Sequence, residues 1–323
     1  MSAGNDALGR RSRLRPQATG KRIALQERDW LWLRKLHEHG PLASSFLLAF
    51  AKHVGASEKR AKERLTDLFH EANTAHGGPY LARPPQQFAT IDSRYNQLVY
   101  DLAPAGVRAL KERALWHETN AARSGPWLHN FMAGSITASI EIGALERADL
   151  AYIPEHRILE RAKTTLSYPV TIIDPITGKR LTKELKPDAL FGLEYKTEQG
   201  SRYRFFAVEA DRGTEPVTAG TLDRKSALRS LLQYREYVAG GIYKKHLKLS
   251  APLLVLTVCG DEGRMDALLR LAAKIFPEGN PYLLYQCWKA FGVPWRTPMP
   301  NSNIVTKTHF RPARSDLFIN GNP

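Results

Sequence analysis

The sequence predicts an α+β chain of two domains, a small helical one closed by a β-hairpin and then a mixed α/β one. Three observations carry that reading. Helical spacing of apolar residues runs from Glu27 to Ala72, breaks at Gly77-Gly78-Pro79 and gives way to two short extended pieces. A polar stretch, Arg113 to Gly125, separates this half from the rest. Beyond it strand-like and helical segments alternate, and APLLVLTVCG (Ala251–Gly260) has the unbroken hydrophobicity of a strand buried on both faces.

Residues 1–22 read as a mobile basic arm, with Arg10, Arg11, Arg13, Arg15, Lys21 and Arg22 against the single acid Asp6. The first domain spans residues 23–115. Its first helix starts at Glu27, shows Trp30, Leu33 and Leu36 on one face, and closes at Gly40-Pro41. A second short helix covers Ser44 to Ala51. Ser57 is the expected N-cap of a third, with Ala61, Leu65, Leu68, Phe69 and Ala72 as the apolar stripe. Extended pieces at Tyr80–Arg83 and Gln97–Leu102 and a helix at Pro104–Glu112 follow. Three helices and then a hairpin is the order of a winged helix-turn-helix, whose third helix enters the major groove. Lys59, Arg60, Lys62 and Arg64 on that helix are therefore the candidate contacts to double-stranded DNA; the plainer alternative is the solvated face of a packing module.

The second domain spans residues 126–294. A long helix at Pro126–Arg147 leads into strands at Ala151–Leu159, Tyr168–Ile173 and Arg180–Leu185, the last two joined by the turn Asp174–Gly178. Strands Ala189–Tyr195 and Arg202–Glu209 are followed by a helix at Thr221–Val238, the buried strand already quoted, a helix at Glu262–Ile275 and a strand at Pro281–Trp288. Residues 295–323, rich in Pro and Asn, read as an irregular tail draped over the surface.

Composition narrows the function. Lys and Arg number 47 against 32 Asp and Glu, a formal charge of +15, which favours a polyanionic partner because each cation placed on a phosphate releases a counterion. Cys259 and Cys287 lack zinc-site spacing and read as small core residues in a reducing compartment. With no membrane-length apolar run and no signal-peptide core, a soluble cytoplasmic protein is expected. Gly20-Lys21 is followed by Arg22, so no phosphate-binding P-loop is present, and no Gly-x-Ser-x-Gly elbow occurs. His37-Glu38-His39 reads as surface.

The chemistry-bearing residues lie at strand ends. LKPDALFGLE puts Asp188 at the start of one strand, and FFAVEADRGTE puts Glu209 and Asp211 at the end of the next. If these strands are antiparallel neighbours, all three carboxylates lie at one end of the sheet. Glu209 and Asp211, two apart, share a face. Converging carboxylates are costly without a cation, and hard oxygen donors suit Mg²⁺ or Mn²⁺. The competing reading of Asp211-Arg212-Gly213-Thr214 is a turn that caps the strand.

Pro-Asp, about twenty residues and then a Glu-x-polar triplet resembles the PD-(D/E)xK nuclease superfamily. VEADRGTE, with a Lys and a Tyr downstream, is similar to the replication-relaxation family and, through it, to MobC-type conjugative relaxases. The resemblance implies a restriction-endonuclease-like fold in the second domain and metal-dependent hydrolysis of a phosphodiester at the origin of a plasmid or other mobile element. It assigns Asp188, Glu209 and Asp211 to the metal and Lys225 to the attacked phosphate. Arg212, Thr214 and Tyr234 become supporting residues, with His129 and Glu141 on the preceding helix as weaker candidates. Asp211 departs from the pattern, which has lysine there, so a nuclease fold without activity, serving as a replication or transcription regulator, stays open. So does an accessory protein that works with another mobilization or replication protein.

Overall fold

The computed structural model describes residues 12–55, 57–88, 96–118, 126–175, 177–289 and 297–321. It forms two compact units: Met1–Ala138 with Trp295–Pro300, and Ser139–Pro294 with Asn301–Pro323. The division falls inside one helix rather than in the polar stretch before it, where residues 119–125 lie outside the described ones.

The N-terminal unit contains α1 (Glu27–His39), β1 (Leu42–Ala43), α2 (Ser44–Lys52), α3 (Glu58–His70), β2 (Leu81–Ala82), β3 (Val99–Leu102) and α4 (Pro104–Glu112). The first part of α5 (Trp127–Leu145) completes it. Three short strands form an antiparallel sheet in the order β1-β3-β2, so the expected hairpin gains a third strand from the α1–α2 connection. The stretch between β2 and β3 includes residues 89–95, outside the described ones.

The core of this unit is built from α1, α2 and α3. Trp32, Leu33, Leu36, Phe46, Leu47, Leu65 and Leu68 are almost wholly buried, and the Trp32 indole N–H donates to Leu47 O at 2.6 Å. The buried stripe of α1 thus runs through Trp32, while Trp30, the residue expected there, is half-buried with the Arg113 guanidinium 4.5 Å from its ring. Asp29 is fully buried. Its carboxylate accepts the Gln26 backbone N–H at 2.9 Å and the Arg64 guanidinium at 2.6–3.2 Å, pinning the start of α1 to α3.

One expectation fails here because polar side chains with a partner can be buried. His37 and His39 are interior, not surface; His37 stacks on Trp116 with ring centroids 4.0 Å apart, and His39 Nδ1 lies 2.8 Å from Thr137 Oγ1. The basic arm, from Ser12 on, is laid against the end of α3: Gln17 N–H donates to His70 Nδ1 at 3.1 Å, Thr19 N–H to Glu71 at 2.8 Å, and Lys21 pairs with Asp67. Residues 1–11 lie outside the described ones.

The C-terminal unit holds β4 (Leu150–Ile153), the hairpin strands β5 (Tyr168–Ile173) and β6 (Arg180–Leu185), then β7 (Ala189–Thr197), β8 (Gly200–Asp211) and β9 (Leu253–Cys259). β10 (Leu283–Cys287), β11 (Thr308–Arg311) and β12 (Arg314–Phe318) follow. A seven-stranded mixed sheet in the order β12-β11-β10-β9-β8-β7-β4 organises the unit, and β5 pairs with β6 apart from it. β8, β9 and β10 are parallel neighbours, linked by helical crossovers; the other pairs are antiparallel. The helices are α6 (Glu155–Ala162), α7 (Ala227–Tyr234), which runs on into a π-turn at Arg235–Ala239, α8 (Ile242–His246) and α9 (Glu262–Ile275). No helix of the described residues is long and apolar enough to cross a membrane.

Three sequence expectations need correction in this unit. Ala151–Leu159 is not one strand: β4 ends at Ile153, and Pro154 then occupies the N-cap of α6, whose buried His156, Leu159 and Ala162 recur at helical spacing. The helix expected from Thr221 begins only at Ala227, where the Ser226 hydroxyl caps it by accepting the Arg229 N–H at 3.3 Å. Lys225 therefore sits in the loop before α7 and not on a helix. The C-terminal segment is no draped tail. β11 and β12 extend the sheet beyond β10, and the Tyr195 hydroxyl donates to Ile319 O at 2.7 Å.

Candidate functional site

In a parallel sheet the groups that meet a ligand gather at the carboxyl ends of the strands, where chain crossovers open a recess. β8 ends there in Glu209-Ala210-Asp211, β9 in Cys259 and β10 in Cys287, with Asp211, Cys259 and Cys287 aligned across the three strands. β7 runs antiparallel to β8, so its start lies at the same end: Ala189 pairs with Val208. Asp188, one residue earlier, donates its backbone N–H to Val208 O at 2.9 Å and accepts the Ala210 N–H on Oδ2 at 2.8 Å. The aspartate side chain thereby extends the ladder past the strand's first residue and is held beside Glu209.

Glu209 is partly buried, and its Oε1 accepts a hydrogen bond from the hydroxyl of the fully buried Tyr234 on α7. Burial and then the neighbouring Asp188 charge push the Glu209 carboxyl well above its ordinary pKa, against the opposing pull of Tyr234 and Lys225. Burial and the Glu209 charge likewise raise the Tyr234 phenol, which keeps it protonated and a donor. Lys225 Nζ pairs with Glu215 at 2.6 Å. Burial pulls the lysine's pKa down, and Glu215, Glu209 and Asp188 together more than offset this, leaving it raised and the lysine charged.

Asp211 shares the face of Glu209 but has a different partner. Arg264, at the third position of α9, donates Nε to Oδ1 and Nη2 to Oδ2, both at 2.9 Å, a bidentate pair with each side chain at most 16% exposed. Asp211 Oδ1 also accepts the Gly213 N–H at 2.6 Å, and Gly213 turns the chain with φ +70°. The capping turn read from Asp211-Arg212-Gly213-Thr214 is thus present, with Arg212 half-buried and Thr214 exposed on it.

Two carboxylates, Asp188 and Glu209, have the chemistry of a hard divalent-ion site. They are oxygen donors at one end of the sheet, close enough for one charge to raise the other's pKa, and a cation between them would relieve the repulsion. Asp211 does not fit as a third ligand while both its oxygens serve Arg264, and among the described residues the three do not bring one oxygen each within 4.8 Å of one another. Glu141 is buried on the part of α5 that belongs to this unit, and His129 lies on the part that belongs to the other. On α3, Lys59, Arg60 and Lys62 are exposed, whereas Arg64 is engaged by Asp29 and by Ala24 O.

Sequence reading missed Arg264 and Glu215. A signal for the arginine exists: Asp261 after the buried strand is an N-cap, and its carboxylate accepts the Arg264 N–H at 2.7 Å, so Arg264 opens a helix at the strand ends. That this strand neighbours β8 is not visible from spacing.

The model of the replication-relaxation family matches residues 33–251. No curated protein and no solved structure matches the chain.

Proposed function

The chain belongs to the replication-relaxation family, which points to a role in replication or mobilization, and from this premise we propose that it is a DNA-binding endonuclease that uses Mg²⁺ or Mn²⁺ to nick one strand at an origin-like site of a mobile element. The observation that carries the proposal is the Asp188–Glu209 pair at the sheet end, with a raised Glu209 pKa and a charged lysine nearby. In this reading the C-terminal unit is a restriction-endonuclease-like domain of the PD-(D/E)xK kind, as in MobC-type relaxases. The N-terminal unit is a winged helix that docks double-stranded DNA through α3.

A divalent ion held by Asp188 and Glu209 would activate water and neutralise charge on the attacked phosphodiester. The chain's own residues do the positioning. The Ala210 amide fixes Asp188, and the Tyr234 hydroxyl fixes Glu209. Lys225, shared with Glu215, supplies a positive charge on the loop beside the carboxylates. Arg264 ties the last residue of β8 to α9 and keeps the third carboxylate from adding to the repulsion on Glu209.

Relaxation of supercoiled plasmid carrying the cognate origin, with Mg²⁺ or Mn²⁺ and with EDTA as control, tests the activity; no relaxation with either metal overturns it. Tyr234→Phe removes one hydrogen bond to the charged form of Glu209. The acid limb of the pH–activity profile should then move up by roughly 1–2 pH units. An unmoved limb would show that the hydroxyl does not tune the site.

The DNA-docking part is tested separately. Lys59→Ala/Arg60→Ala/Lys62→Ala should flatten the slope of log affinity against log salt by up to about 2.7, roughly 0.9 for each phosphate no longer neutralised. An unchanged slope removes α3 from the interface. A second reading, a DNA-binding regulator without catalysis, is favoured by Asp211 standing in a partly buried arginine pair where a nuclease strand has lysine. It predicts origin binding without relaxation or metal binding.

A further inference from the structure

We infer that the C-terminal unit carries a nucleic-acid docking surface of its own, built from α6, α8 and the turns that follow them, which takes the phosphate backbone of duplex DNA. It adds to the proposed DNA binding by α3 and does not require the carboxylate site to be catalytic.

Arg157 and Arg161 lie one turn apart on α6, followed by Lys163; Lys244 and Lys245 lie on α8, followed by Lys248. All six side chains are exposed. The two segments are adjacent: Arg161 Nη2 approaches Lys248 O at 3.4 Å, and His246 Nε2 is 2.9 Å from Thr165 O. Among the described residues none of the six cations has a carboxylate partner. Six unneutralised cations on two touching segments repel one another and call for a polyanion.

A second, independent observation concerns the backbone. Lys163 caps α6 in the left-handed region, at φ 56°, and Lys248 sits there after α8, at φ 50°. At such positions glycine is the residue without steric cost, and a side chain costs on the order of 1–2 kcal/mol. Four described non-glycine residues have positive φ, and two of them are these lysines of one patch. Local stability is given up twice for charge at the same place, as expected of a surface kept for binding.

The partner is duplex DNA because the cations lie on two segments adjacent in space with no aromatic residue at their exposed positions, which suits a phosphate backbone better than stacked single-stranded bases. An anionic lipid surface shares the charge chemistry and is separated by the test.

The full chain is titrated with origin duplex in EDTA over a range of salt, so that cleavage plays no part. Lys163→Gly/Lys248→Gly is the first variant: it should melt at or above the wild-type temperature yet bind DNA at least about three-fold more weakly. Adding Lys244→Ala and Lys245→Ala should weaken binding at least ten-fold and lower the salt slope by roughly 3 to 4. Wild-type affinity and slope in the four-site variant overturn the inference, as does loss of binding to phosphatidylserine vesicles with DNA binding intact. The α3 triple variant runs alongside. If it alone loses affinity, this inference fails and the α3 reading stands; if the four-site variant alone loses affinity, the reverse holds.

Discussion

Glu209→Gln is expected to reduce metal-dependent nicking at least about a hundred-fold and to abolish stabilisation of the protein by Mg²⁺ or Mn²⁺. The substitution keeps shape and the ability to accept from Tyr234 but removes the charge that would hold the ion, a loss of several kcal/mol where Lewis-acid chemistry is at work. The same residue governs a pH dependence that needs no activity assay. Glu209 has a folded pKa well above its unfolded one, so between the two values the folded state binds more protons than the unfolded. Stability is then fully present below the ordinary carboxyl range near about 4.3 and is lost as pH rises through the folded pKa, by about 1.4 kcal/mol per pH unit within that window. Metal-free wild type should therefore lose melting temperature across this window, divalent ion should restore it, and the glutamine variant should be flat with or without ion. A wild-type protein whose melting temperature ignores both pH in this range and divalent ions would remove Glu209 from any metal site.

The second large effect is expected at Arg264. Removing one member of a recessed, bidentate ion pair leaves the other charge uncompensated, at a cost of about 3 kcal/mol or more. For a unit of this size Arg264→Ala should lower the melting temperature by roughly 6–12 °C. The double variant Asp211→Ala/Arg264→Ala should recover part of that loss, because no orphaned carboxylate then remains. Function should follow the carboxylate. In Arg264→Ala the freed Asp211 charge lies two residues from Glu209 and raises its pKa further, so nicking should need a higher pH as well as being slower. Equal melting temperatures for single and double variants would mean that the pair does not act as a unit. Wild-type nicking in Arg264→Ala would show that the end of β8 needs no brace from α9.

The distinction between Asp211 and its two neighbouring carboxylates explains how far the site could be read beforehand. Pro187-Asp188 and Glu209 were legible because a strand start and a strand end are written locally, in a proline, a polar step and an apolar run. That the strands are antiparallel neighbours, with Ala189 opposite Val208, made the expected meeting of Asp188 and Glu209 real. Asp211 looked like a third ligand because strand periodicity places residues two apart on one face. Periodicity sets a direction and says nothing about which cation waits there. Arg264, 53 residues later, arrives only through the parallel pairing of β8 with β9 and the helix that follows.

The sequence by itself determined what local chemistry writes: most element positions, the excess of positive charge, the helical half before the α/β half, and the two acids at the sheet end. Only the tertiary structure decided which charges are paired. Arg64 went to Asp29, Asp211 to Arg264 and Lys21 to Asp67, while the lysines of α8 stayed exposed. It also turned residues 308–318 into the last two strands on one side of the sheet. The physical reason is common to all of these. An ion pair or a strand pairing is made between residues distant in the chain, and its energy depends on burial and geometry that no short stretch contains.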